Sequence, residues 1–235
     1  MTMTMSTDTS TSPVPGSALA LWRLISPMLP IGAFAWSQGL EYAVEVGWVA
    51  DEAAAASWIG GVLEHNLAAV DIPILARLYR AWGEGDGAAV DSWGSLLRAM
   101  RETSELMHED RELGRALARL LCELGIAEAD PWREHAQTTY AAMFALAAYS
   151  WDIPVTEAAR GYLWAWCENQ VSAAMKLVPL GQNAGQRLLG LLMPVIDRSA
   201  SRGLALAEED IGATATGLGL ASAAHETQYS RLFRS

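Results

Sequence analysis

A chain of 235 residues, 51% of them hydrophobic, is long enough to bury most of its apolar surface in one large domain or two small ones. A formal net charge of −11 opposes binding to nucleic-acid phosphates or an anionic membrane, and no local basic run offsets it. Alanine and leucine dominate and β-branched runs are few, which favours helices over sheets.

Residues 1–16, MTMTMSTDTSTSPVPG, form a polar Thr/Ser tract ending in two prolines. That composition predicts disorder, and it lacks the basic start and apolar core of a secretory signal. Ser17 to Ile25 reads as a short amphipathic helix, broken by Pro27 and Pro30, each of which pushes its predecessor out of the α region. A second helix is expected from about Phe34 to Val46, stopping at Gly47. Asp51 caps a third, with Glu52 favoured in its first turn, and this one continues to about Val70. Pro73 opens the next, which fades into a surface loop at Gly83 to Gly87.

Helical pattern resumes from Ala88 through Leu124. Leu113, Leu117, Leu120, Leu121 and Leu124 fall on one face, and Arg111, Arg115, Arg119 and Glu123 on the other. Gly125 supplies the stop. From Pro131 to Asp152 the run Tyr140 to Tyr149 is apolar nearly all round, which marks a buried central helix. Pro154 breaks it, and Thr156 and Glu157 begin a helix that carries Cys167 and ends at Lys176 to Pro179. One further helix runs from about Gln182 to Arg198, and a last one follows Glu208-Glu209-Asp210. The pattern predicts an all-α, compact single-domain bundle of roughly ten helices over 17–224, with no sheet and a polar tail over 225–235. The uncharged run Ala136 to Trp151 is too short to span a bilayer, so no membrane is expected and the cytoplasm is the default compartment.

Chemistry-bearing patterns are mostly missing. There is no GxxxxGK[ST], and Gly217-Leu218-Gly219 has no βαβ unit around it. His65, His108, His135 and His225 include no pair at i, i+4, and His225-Glu226 does not extend to HExxH. His108-Glu109-Asp110 reads as a solvated charged face. Cys122 and Cys167 are far apart and look like small buried hydrophobes. Neither a catalytic centre nor a metal site is expected within one chain; a helical enzyme using Glu/His acid–base chemistry and a direct metal carrier stand as alternatives.

Three segments exceed what a helical core needs. The first is SPMLPIGAFAWSQGLE, Ser26 to Glu41, a bent entry carrying Phe34 and Gln38. The second surrounds Lys176, the only lysine, where a helix stops at Pro179 and Gly181 and restarts behind Gln182, Gln186 and Arg187. This corner either satisfies neighbouring helix ends or grips a partner or an anion. The third is the ending, His225-Glu226-Thr227-Gln228-Tyr229-Ser230-Arg231-Leu232-Phe233-Arg234-Ser235. It mixes aromatics with arginine, the types enriched at binding hot spots. Such a tail either packs back on its own domain or docks on a partner.

Together, SPMLPIGAFAWSQGLEYAVEVGWV, KLVPLGQNAGQRLL and HETQYSRLFRS resemble, in order, the UreF family of urease accessory proteins, over about Ala18 to Ser235. Two departures are mild. The family often has Gly-Phe-Ser-Tyr where this chain has Ala33-Phe34-Ala35-Trp36, and Leu-Arg where it has Met107-His108. The resemblance implies a non-enzymatic, all-helical homodimer that binds UreD (also called UreH) and recruits the GTPase UreG. The assembly delivers nickel to the urease apoprotein, with no cofactor held stably by this chain. It implies that the first helix and the tail become ordered when UreD binds. On the UreD side the expected contacts are Phe34, Gln38, His225, Glu226, Tyr229, Arg231, Leu232, Phe233 and Arg234. Lys176, Gln182, Gln186 and Arg187 are expected to meet UreG or line the nickel route, with Arg187 a candidate for acting in trans on GTP hydrolysis.

Overall fold

In a computed structural model, residues 16–213 and 215–235 are described. The tract over 1–16 lies outside them, save Gly16. The described residues form ten α-helices and no strand: α1 (Ser17–Leu24), α2 (Leu40–Glu45), α3 (Glu52–Val62), α4 (Asp71–Glu84), α5 (Gly87–Ala99), α6 (Ser104–Glu123), α7 (Tyr140–Ser150), α8 (Val155–Leu177), α9 (Gln182–Leu204) and α10 (Thr216–His225).

The centre is α7. Its eight residues from Ala141 to Ala148 are all buried, as expected of a helix apolar all round. α4 and α6 pack against it, while α8 and α9, the two longest helices, lie side by side along the body. Gly185 permits their close approach, because a Cβ there would run into the Met175 sulfur. Pro73 falls in the first turn of α4, where its missing N–H has no intrahelical role.

Several boundaries differ from the sequence reading, each for a local reason. Phe34 lies in a short 3₁₀ turn, Ala33–Ala35, and Trp36 is extended. Gln38 and Gly39 have φ of 51° and 75°, so α2 starts only at Leu40. Gly39 is doubly constrained, since a Cβ would meet the Ser222 backbone nitrogen of α10 at 2.7 Å. Beyond Val62 the third helix loosens into a π-helical turn, Leu63–Leu67. The expected loop at Gly83 to Gly87 is a two-residue joint: Gly85 is left-handed and the Asp86 carboxylate caps α5. The single pattern from Ala88 to Leu124 is two helices, because Thr103 turns extended and caps α6 through Leu106 N. No single helix among the described residues is long and apolar enough to cross a membrane; the apolar pair over 52–67 and 71–84 is bent by 47° and buries one face in the core.

Candidate functional site

The tail folds back across α2 and α6, and the first segment meets it there. Arg234 N donates to Ala35 O at 2.8 Å, and Ser37 N to Ser235 O at 2.8 Å, with the Ser37 hydroxyl on the same oxygen. Glu41 of α2 receives the backbone N–H groups of Leu232 (2.6 Å) and Phe233 (2.9 Å). Arg231 reaches Glu105 of α6 at 2.9 Å. The Arg234 guanidinium lies 5.8 Å from the Trp36 ring centroid. Phe233 is the tail's apolar anchor, only 6% exposed, with Lys176 Nζ 5.4 Å above its ring.

That contact joins two segments the sequence kept apart. Lys176 sits on the tail, and Gln186 lines the cavity that Phe34 and Gln38 also line. Arg187 faces elsewhere: it pairs through two nitrogens with Glu52 at the start of α3, at 2.9 and 2.6 Å, and that bond lowers the Glu52 pKa. Gln182 is exposed at the first turn of α9. Of the tail residues, Tyr229 and Leu232 point outward, as does Phe34. His225 is wholly buried. Glu226 caps α6, accepting from Ser104 N and Oγ at 3.0 and 2.6 Å, and these bonds hold its carboxyl below the ordinary range.

Gln38 and Glu109, both bonded to Ser235, also line a cavity of about 360 Å³. Its polar wall corrects one sequence reading: Glu109 and Asp110 are buried, not solvated, and only His108 of that triplet faces outward. The reason is helical phase, since Leu106, Glu109, Asp110, Leu113 and Leu117 share the inward face of α6. Arg101 spans the gap, with both terminal nitrogens on Asp71 (3.1 and 2.7 Å) and one 3.6 Å from Asp110. Tyr162 donates to Asp71 at 2.9 Å, and Tyr140 N, at the start of α7, donates to Asp110 at 3.0 Å. Burial works against the Arg101 charge, but Asp71 and Asp110 together outweigh it and hold its pKa well above the ordinary range.

Burial pushes Glu109 up to about 7, only partly offset by the bond from Gln38 Nε2 at 3.0 Å. Gln38 in turn accepts from Trp166 Nε1 at 2.8 Å, and Ser235 Oγ donates to the other Glu109 oxygen at 3.3 Å. Glu109 thus links the cavity wall, the bent entry and the tail. Burial likewise raises Cys167 to about 12, which leaves it an inert thiol. Among the described residues no group of three or more His, Cys, Asp or Glu side chains is arranged to hold a metal ion.

The sequence reading singled out the tail and Gln38 but missed their receptors, Glu41, Glu105, Glu109 and Trp36. One signal was available: carboxylates in phase with Leu106, Leu113 and Leu117.

The UreF family model matches residues 49–193 of this chain. The chain is 56% identical to a urease accessory protein UreF of Alkalilimnicola ehrlichii over 98% of this chain and all of the relative. It is 48% identical to proteins of the same description from Chromohalobacter salexigens and Marinobacter nauticus, with the same coverage.

Proposed function

The chain belongs to the UreF family of urease accessory proteins, and we propose that it serves urease maturation as a non-enzymatic adaptor between UreD (UreH) and the GTPase UreG. In this reading nickel is cargo of the assembled complex and the protein works as a homodimer in the cytoplasm, acting on the urease apoprotein. The observation that carries it is the tail surface. Tyr229 and Leu232, with Phe34 of the bent entry, are large apolar groups turned outward, and Tyr229, Leu232, Arg231 and Arg234 sit on a tail held to the body largely by hydrogen bonds and one buried ring. Such a strip offers aromatic and arginine anchors at little cost in ordering, because its backbone is already held in the chain alone, where the resemblance implied ordering on UreD binding.

The Lys176 corner supplies the UreG side, together with Gln182, Gln186 and Arg187. Its contact with Phe233 makes the two partner surfaces neighbours, so a change at the tail reaches the lysine directly. Arg187 is exposed and held only by a surface carboxylate, which leaves it free to exchange Glu52 for a developing phosphate charge. Comparing GTP turnover of the assembled complex with wild-type and Arg187→Ala protein tests this; equal rates remove the role in trans.

The adaptor reading itself is tested by deleting Thr227 to Ser235. UreD binding is lost with circular dichroism unchanged if the reading holds, and unaltered co-purification with UreD refutes it. A second reading, acid–base enzyme, draws on Glu109, a carboxylate close to neutrality in a cavity. Turnover of a small molecule that disappears in Glu109→Gln, while partner assembly persists, would favour it.

A further inference from the structure

His225 ends α10 with no exposed surface, and both of its ring nitrogens face carboxylates. Nδ1 lies 2.8 Å from Glu105 Oε2 of α6, and Nε2 lies 3.3 Å from Glu41 Oε2 of α2. Ionised carboxylates only accept hydrogen bonds, and a neutral imidazole has a single N–H. Two such contacts therefore require one proton more than a neutral ring and two carboxylates carry. The same two glutamates hold the tail: Glu41 takes the Leu232 and Phe233 N–H groups, and Glu105 takes Arg231. With the extra proton in place the group balances two negative charges against two positive ones. Without it, a lone pair faces a carboxylate in a site closed to water, and the imbalance falls on the residues that grip the tail.

We propose that this shared proton is a fastener, so that loss of it at rising pH unhooks residues 227–235 from the body. The other charged groups nearby do not take over its role. Glu226 is committed to the first turn of α6, Glu45 receives Gln228, and Glu102 is bonded to Ala215. Glu109 meets the tail only at Ser235. The inference concerns the chain alone and stands whichever partner meets the tail.

Hydrogen–deuterium exchange of the full chain between pH 6 and 9, corrected for intrinsic rates, reads tail protection directly. Protection of 229–235 should fall with pH, at most about tenfold per pH unit, the limit for release of one proton. The fall should persist in Glu109→Gln. In His225→Gln, whose neutral amide places no titratable positive charge between the two carboxylates, protection should be low and independent of pH. Should that variant fail to fold, the imidazole ¹⁵N shifts of the wild type decide. At pH 6 both nitrogens must be protonated or share protons with the carboxylates, and the change on raising pH must coincide with loss of tail protection. Constant protection across the range, a fall abolished by Glu109→Gln, or an ordinary neutral imidazole in the protected tail would each overturn the proposal.

Discussion

Replacing Glu109 with Gln removes a buried titration without changing the shape of the side chain. Burial raises this carboxyl from the ordinary 4.5 to about 7. In the folded protein it therefore keeps a proton that the unfolded chain releases between those values, and stability falls as pH climbs through that window. Above pH 7 the penalty is complete. An interval of about 2.5 pH units at ~1.4 kcal/mol each gives roughly 3 kcal/mol. At pH 5 less than about 1 kcal/mol of it has developed. Gln accepts from Gln38 Nε2 as the carboxyl does, and it carries no charge to desolvate. Urea unfolding at pH 5 and pH 8.5 measures the consequence. Glu109→Gln should raise the midpoint by the equivalent of roughly 3 kcal/mol at the higher pH and little at the lower, with the m-value unchanged. An equal shift at both pH values, or a loss of stability at pH 8.5, would refute the reasoning.

Phe233→Ala empties the tail's anchoring position, for about 3 kcal/mol by the usual cost of deleting a buried ring; exchange over 229–235 should rise sharply while far-UV circular dichroism holds. Arg101→Ala strands Asp71 and Asp110 in a buried site with no countercharge, and denaturation should register a loss of ~3–5 kcal/mol. Gly39→Ala forces a side chain into a left-handed conformation and against α10. It should destabilise the protein by at least ~1 kcal/mol and loosen the tail by moving Glu41.

Much of the fold could be read from residues with one local meaning. Tyr140 to Tyr149 is apolar on every side, so α7 had to be enclosed; Asp51 and Gly125 mark helix ends by capping chemistry alone. Thr103 carried the same kind of signal but lay inside a long helical pattern that hid it. The bend before α2 rests on Gln38 taking a left-handed conformation, which residue type does not dictate. The candidate site was legible as residue types in the tail and not as geometry. His225, Glu41 and Glu105 stand 120 to 184 positions apart for the two contacts they make, so only the packing of α2, α6 and α10 discloses their relation. Glu109 and Asp110 fall between these cases, because their spacing from Leu113 and Leu117 already placed them on the inward face.

The adaptor role meets its most direct test in co-purification of the full chain, and of a chain ending at Glu226, with UreD and UreG together. The full chain should retain both partners. The shortened chain, folded by circular dichroism, should lose UreD and with it the complete assembly. Retention of both partners by the shortened chain would contradict the tail's role as the UreD anchor.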